Sequence, residues 1–204
     1  MEKKRSFTQL KKSMSCVAFT KFCKDLTEEY AKSEPQFART YFTEHYNIST
    51  DCYYKVLEYA IVTNLVEDVV VTKMMNKAIK NQSAHNESAG ATSIIKYARM
   101  YDQRCKYIAN SFLDKEVRKA ATDFGDNPDI SKVDLASSYG VARKVFELVL
   151  VRAIEENIAD DRTVDAMEAR SIKNAKPQNV EMTKEYFTAL RKKREANKQG
   201  ITLE

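Results

Sequence analysis

Apolar residues recur along almost the whole chain at spacings of three and four, the period that puts side chains on one face of a helix. Val17, Phe19, Phe22, Cys23, Leu26 and Tyr30 mark a first helix over 15–32. Glu34-Pro35 ends it, because a residue before proline is pushed out of the helical region. Further helices are expected over 36–45, from about 50 to 65, and over 67–80. A second series follows at 94–112 and 115–124, then three helices within 130–174, the third opened by Asp160-Asp161, and a last one at 180–197. Val69-Val70-Val71 alone has strand character, but the segment matching it 93 residues later, Asp161-Arg162-Thr163-Val164, does not, so a helix is expected there. The expected fold class is all-α.

One pattern occurs twice. Sliding the chain by 93 residues lays 35–81 on 128–174 without a gap, with identity at 13 of 47 positions. Tyr46/Tyr139, Leu57/Leu150, Ile61/Ile154, Asn64/Asn157 and Asp68/Asp161 are among the identical pairs. Tyr53/Phe146 and Lys77/Arg170 are conservative ones. A long period with only two copies indicates a duplicated domain and not a solenoid. Within the second copy, Leu135, Ala136 and Tyr139 form the inner face of a short helix. Gly140 can take the left-handed conformation that stops it, Val141 plugs the corner, and Phe146 and Val149 open the next helix. Asn47 stands where Gly140 stands, and asparagine is the next best residue for such a turn.

These residues resemble the helix-turn-helix superfamily of DNA-binding proteins, in two tandem copies. The resemblance implies a second helix lying in the major groove of double-stranded DNA, read by its early outward residues. Carried over position by position, these are Ser49, Thr50, Asp51, Tyr54 and Lys55 in the first copy, and Ala142, Arg143, Lys144 and Glu147 in the second. Arg39 and Lys132 open the first helices, where such proteins touch phosphate. The domains expected are a basic arm at 1–14, helix-turn-helix domains at 15–81 and 115–175, a linker and connector helix at 82–114, and a basic helix and tail at 176–204. The linker expectation rests on the small polar run 81–93.

Charge supports a polyanion partner. The net charge is +5 over 204 residues. Basic residues gather at the ends, with Lys3, Lys4, Arg5, Lys11 and Lys12 at one and Arg191, Lys192, Lys193, Arg194 and Lys198 at the other. Helix 145–154 is apolar on nearly every side, which suggests burial or an interface. Leu148 and Val151 are its test residues, since the first copy has Lys55 and Glu58 there. A homodimer or a protein partner is therefore the rival to DNA, and a recombination or packaging accessory factor of a mobile element is a third reading.

Catalytic chemistry is not expected. His45 and His85 are the only histidines, the four glycines are scattered, and the four cysteines lack paired ligand spacing. No cofactor or metal is expected, no apolar run is long enough to span a membrane, and a reducing cytoplasmic setting fits the cysteine usage.

Overall fold

The computed structural model describes residues 4–33, 39–85 and 87–200, with the backbone alone over 81–93. It is all-helical among these residues, apart from an isolated parallel bridge between Arg5 and Ile48. The helices are α1 (Phe7–Lys12), α2 (Cys16–Lys32), α3 (Arg39–His45), α4 (Thr50–Val62), α5 (Asp68–His85) and α6 (Glu87–Ser111). They continue as α7 (Asp114–Asp126), α8 (Lys132–Ser138), α9 (Arg143–Glu155), α10 (Asp161–Lys173) and α11 (Val180–Lys198), the last preceded by a 3-10 turn at Pro177–Asn179. Contacts divide the chain into a unit over 1–107 and a unit over 108–204.

In the first unit α2 packs on α4 and α5, and α3 on α4. Leu26, Phe42, Tyr53, Leu57, Ile61 and Met74 are essentially sealed from solvent. In the second unit α7 packs on α9 and α10, α8 on α9, and α11 on α9 and α10. Val117, Phe146, Val149, Ile154, Val164 and Met167 form its centre.

The 93-residue offset carries the bounds of α3 onto those of α8 and the bounds of α4 onto those of α9. Asn47 and Gly140 both have positive φ, 48° and 66°. At each corner the residue after the turn reaches back five residues: Ile48 N–H donates to the Thr43 carbonyl and Val141 N–H to that of Ala136. Asn47 and Gly140 close the shorter loop to Glu44 and Ser137. This pair of bonds is the Schellman helix stop, which needs a left-handed residue followed by an apolar one. The same stop ends α4 and α9, with Asn64 and Asn157 at φ 60° and 57° and Leu65 and Ile158 behind them. Asparagine serves here because its short polar side chain tolerates the left-handed region.

Tertiary anchors recur as well. The Tyr46 hydroxyl donates to Glu29 in the first unit, and that of Tyr139 to Asp123 at 2.6 Å in the second. Lys77 sits 4.2 Å from the Tyr30 ring centre and donates to the carbonyls of Tyr30 and Ser33. Arg170 sits 4.1 Å from the Phe124 ring centre and donates to the carbonyls of Phe124 and Ile130. Each cation thus satisfies backbone oxygens at or just past the C-terminal end of α2 or α7, groups that would otherwise be costly to bury. Buried Arg104 bonds the Val66 carbonyl and Asp68, and buried Arg194 bonds the Ala159 carbonyl and Asp161. The recurring pattern therefore covers α2–α6 and α7–α11, with Tyr30/Phe124 offset by 94 residues and Arg104/Arg194 by 90.

Three expectations need correction. The segment 81–93 is not an irregular linker: its backbone is helical over 81–85 and 87–93. Residues 1–14 are not a free arm. Leu10 of α1 is fully buried, Arg5 donates to the Tyr46 carbonyl at 2.9 Å, and α1 packs on α4. The closing helix is not a separate basic appendage, because α11 is part of the second unit's packing. The expected start of the third helix at 36–38 and the tail 201–204 lie outside the described residues.

Gly140 gives a direct check on the corner. A Cβ built there meets nothing within 4 Å, so only the backbone would be strained. Gly140→Val should cost about 1–2 kcal/mol, the penalty for a branched residue in the left-handed region. Gly140→Asn should cost only a few tenths by the same reasoning, since Asn47 holds that conformation in the first unit. Denaturant unfolding monitored by circular dichroism measures both, and equal stability of the two variants would rule the left-handed corner out.

Candidate nucleic-acid interface and the groove beside it

The first turns of α4 and α9 are the helix starts that the tandem corners present. At α4 the Ser49 side chain is already engaged, accepting from the Cys52 N–H at 3.1 Å as the helix cap. Thr50 is exposed. Asp51 and Lys55, also exposed, pair with each other at 3.0 Å across one helical turn. Tyr54 is half-buried, with Lys96 3.4 Å from its ring centre and the Arg39 guanidinium 3.5 Å from its hydroxyl. The outward stripe of α4, completed by exposed Glu58, carries no net positive charge.

At α9 the cap position is Ala142, which has no side-chain acceptor. Exposed Arg143 donates through Nε to Glu147 at 2.9 Å, and Lys132 from α8 reaches the same carboxylate oxygen at 3.5 Å. Lys144 is exposed beside them. Lys132, Arg143 and Glu147 are therefore brought together, as are Arg39 and Tyr54, while the side chains of Ser49, Thr50 and Ala142 bond to no other candidate. Of the two starts, α9 carries more positive charge. Its pairs are exposed and worth only a few tenths of a kcal/mol, so they can be exchanged for an anionic partner.

Helix α9 buries Val145, Phe146, Val149, Leu150, Ala153 and Ile154 inside its own unit. Leu148 and Val151 stay half-buried, whereas the matching Lys55 and Glu58 are exposed. The all-round apolar character is thus mostly core, with only these two side chains left near the surface.

Apart from exposed Lys192, the basic residues of α11 pair with carboxylates of the chain. Arg191 binds Asp165 at 2.7 Å and Glu168 at 2.9 Å, Lys193 binds Glu155 at 3.0 Å, and Arg194 is 4% exposed against Asp161 and Asn157. These ties hold α11 to α9 and α10. The contribution expected of it, a free cationic surface, falls mainly to exposed residues such as Lys11, Lys12 and Lys192.

Beside the α9 start lies a groove of about 1080 Å³ walled by α8, α9, α10 and α11. Arg143, Glu147 and Val151 line one side, and Met182, Tyr186 and Leu190 the opposite one. Arg170 and Lys132 also line it, 4.1 Å and 5.5 Å from the Phe124 ring centre. Burial draws the Arg170 guanidinium below its ordinary value, opposed by Asp129. Burial and the carboxylates of Glu155 and Glu147 push the Tyr186 hydroxyl up. The pattern of residues along the chain does not reveal this groove. Its only trace there is the Lys77/Arg170 match, which marks a position shared by the two copies without saying that space opens beside it.

Among the described residues no group of three or more His, Cys, Asp or Glu side chains could hold a metal ion, and no helix is long and apolar enough to cross a membrane. None of the four cysteines is in a disulfide, and burial pushes the Cys23 thiol up to about 12. No protein-family model, curated protein or solved structure matches the chain.

Proposed function

We propose that the chain binds double-stranded DNA through two tandem helix-turn-helix corners, with the second unit as the principal reader. The observation that carries the reading is the pair of left-handed corners at Asn47 and Gly140, each followed by a helix whose first two residues are exposed. That geometry lets the start of a helix enter a major groove while the preceding helix lies across the backbone. Arg143 and Lys144 have the chemistry to donate to guanine, and Lys132 to approach phosphate. The first unit's start, with its Asp51–Lys55 pair, serves better as a weak, positioning contact. Regulation of transcription or an adaptor role on DNA follows from such a reader.

The test is a fluorescence-anisotropy titration of a labelled random-sequence duplex at two salt concentrations. Affinity should fall by roughly tenfold or more between about 50 and 200 mM salt, because cations that meet phosphates release counterions. Lys11→Glu together with Lys12→Glu should weaken this binding for every sequence alike. Absence of binding at low salt removes the proposal. Removing α11 is not a fair test, because it would also take away part of the second unit's core.

A second reading is favoured by Leu148 and Val151, which are apolar and half-buried where the first copy is charged. In it, α9 docks on a second copy of the chain. Leu148→Lys should then shift the mass measured by light scattering from dimer to monomer. A chain already monomeric before the change eliminates this reading and leaves the DNA proposal untouched.

A further inference from the structure

We infer that the groove of the second unit is a binding site for a small amphipathic acid, a molecule with one anionic head and an apolar body. This inference stands on the groove alone and does not depend on DNA binding. Three observations carry it.

The first is the state of Arg170. It is 4% exposed and lines the groove, and among the described residues no carboxylate lies within ion-pair distance of it. Its terminal nitrogens donate to the carbonyls of Phe124 and Ile130, while Nε is buried with no partner. Arg104 also has an unpaired Nε, but it pairs with Asp68 at 2.9 Å, and buried Arg194 pairs with Asp161 at 2.7 Å. Arg170 alone of these three has no carboxylate in ion-pair contact, Asp129 acting on it only from a longer distance. Burying a charge without a directly paired counter-charge is expensive, and an anion in the groove would relieve that cost.

The second is the balance of charge along the walls. Lys132, Arg143, Arg170 and Lys176 face two carboxylates, Asp129 and Glu147. Glu147 is already shared between Arg143 and Lys132. Lys132 lies 5.5 Å and Arg170 4.1 Å from the centre of the same Phe124 ring, so both cations stand beside one groove-lining side chain. A planar guanidinium beside an ammonium suits a carboxylate or similar head.

The third is the apolar remainder. Val151, Met182 and Tyr186 give the body of a ligand a surface to cover, and Met182 is 60% and Tyr186 50% exposed without one. A groove of about 1080 Å³ is at the upper end of the range for small-molecule sites. Methionine and tyrosine on one wall tolerate varied ligand shapes. The head is therefore expected at Arg170 and Lys132, and the body between α9 and α11.

The probe is 8-anilinonaphthalene-1-sulfonate, an aromatic monoanion that fluoresces when shielded from water, titrated into the intact chain at neutral pH. One site per chain is expected, displaced by decanoate but not by decyltrimethylammonium or decanol at the same concentration. Lys132→Glu should weaken the site about tenfold or more. Arg170→Lys should weaken it too while keeping the fold, since Lys77 fills the corresponding place in the first unit. Circular dichroism checks the folding of both, and if Arg170→Lys unfolds, Lys132→Glu decides. The inference is overturned if the folded chain binds no probe, if the cationic or neutral competitor displaces it as well as decanoate, or if Lys132→Glu binds like the parent.

Discussion

Reversing the charge of Arg143 and Lys144 together, by R143E with K144E, is expected to abolish the preference of the chain for its target duplex. Each well-placed contact from a basic side chain to a guanine edge discriminates by about 1–3 kcal/mol. Two such contacts amount to about 2–6 kcal/mol, or roughly thirty- to twenty-thousandfold in relative affinity. Releasing Arg143 from Glu147 opposes this by only about 0.3–0.5 kcal/mol, the worth of an exposed pair one helical turn apart. On the proposed reading, a contact with DNA would therefore outweigh the internal pair. Folding should survive the change, because both residues are exposed and acids at a helix start are favoured by its dipole. The measurement is the ratio of dissociation constants for target and scrambled duplexes. A ratio unaltered by the double reversal would take α9 out of the reading role.

Phe146→Ala should produce the largest loss of stability. Phe146 is fully buried beneath the corner, with the Tyr139 ring centre at 5.6 Å and that of Phe124 at 6.5 Å. Truncating a buried phenylalanine removes its transfer energy and leaves a cavity, at a cost of about 3–5 kcal/mol. Tyr139 also holds Asp123, and Phe124 carries Arg170, so the ring supports both the corner and the groove. Hydrogen exchange followed by mass spectrometry reads the effect locally. Amides of α8 and α9 should exchange on the order of a hundred to several thousand times faster. A change below about 1 kcal/mol would mean that the second unit is not packed around this ring.

The helices were legible because their signals are local. Serine caps, proline stops and the three-four spacing of apolar residues all act within a few positions. Gly140 and Asn47 were legible for the same reason, as few residues adopt positive φ at low cost. The matching stop at Asn64 and Asn157 was visible only as an identical pair, and its geometry gives the reason for the identity. The wider correspondence was hidden by register. Tyr30 and Phe124 sit one residue off the 93-residue offset and Arg104 and Arg194 three residues off, so an ungapped comparison ends before reaching either.

Composition misled in two places. The run 81–93 is small and polar, yet Ala84, Glu87, Ala89 and Ala91 are strong helix formers and a lone Gly90 costs only about 1 kcal/mol. The basic residues of α11 look like a free cationic surface in one dimension. Their partners Asp161, Asp165 and Glu168 lie on another helix, and a charge count cannot reveal that pairing. The candidate readers fared differently. Thr50, Arg143 and Lys144 are exposed as their helix positions require, whereas Ser49 is occupied as a cap and Tyr54 is held between Arg39 and Lys96.

Selection of bound duplexes from a random-sequence DNA pool tests the central claim most directly. The parent chain should enrich a defined motif, and the chain carrying R143E and K144E should enrich none. Recovery of no motif by the parent, or of the same motif by both chains, would contradict the account.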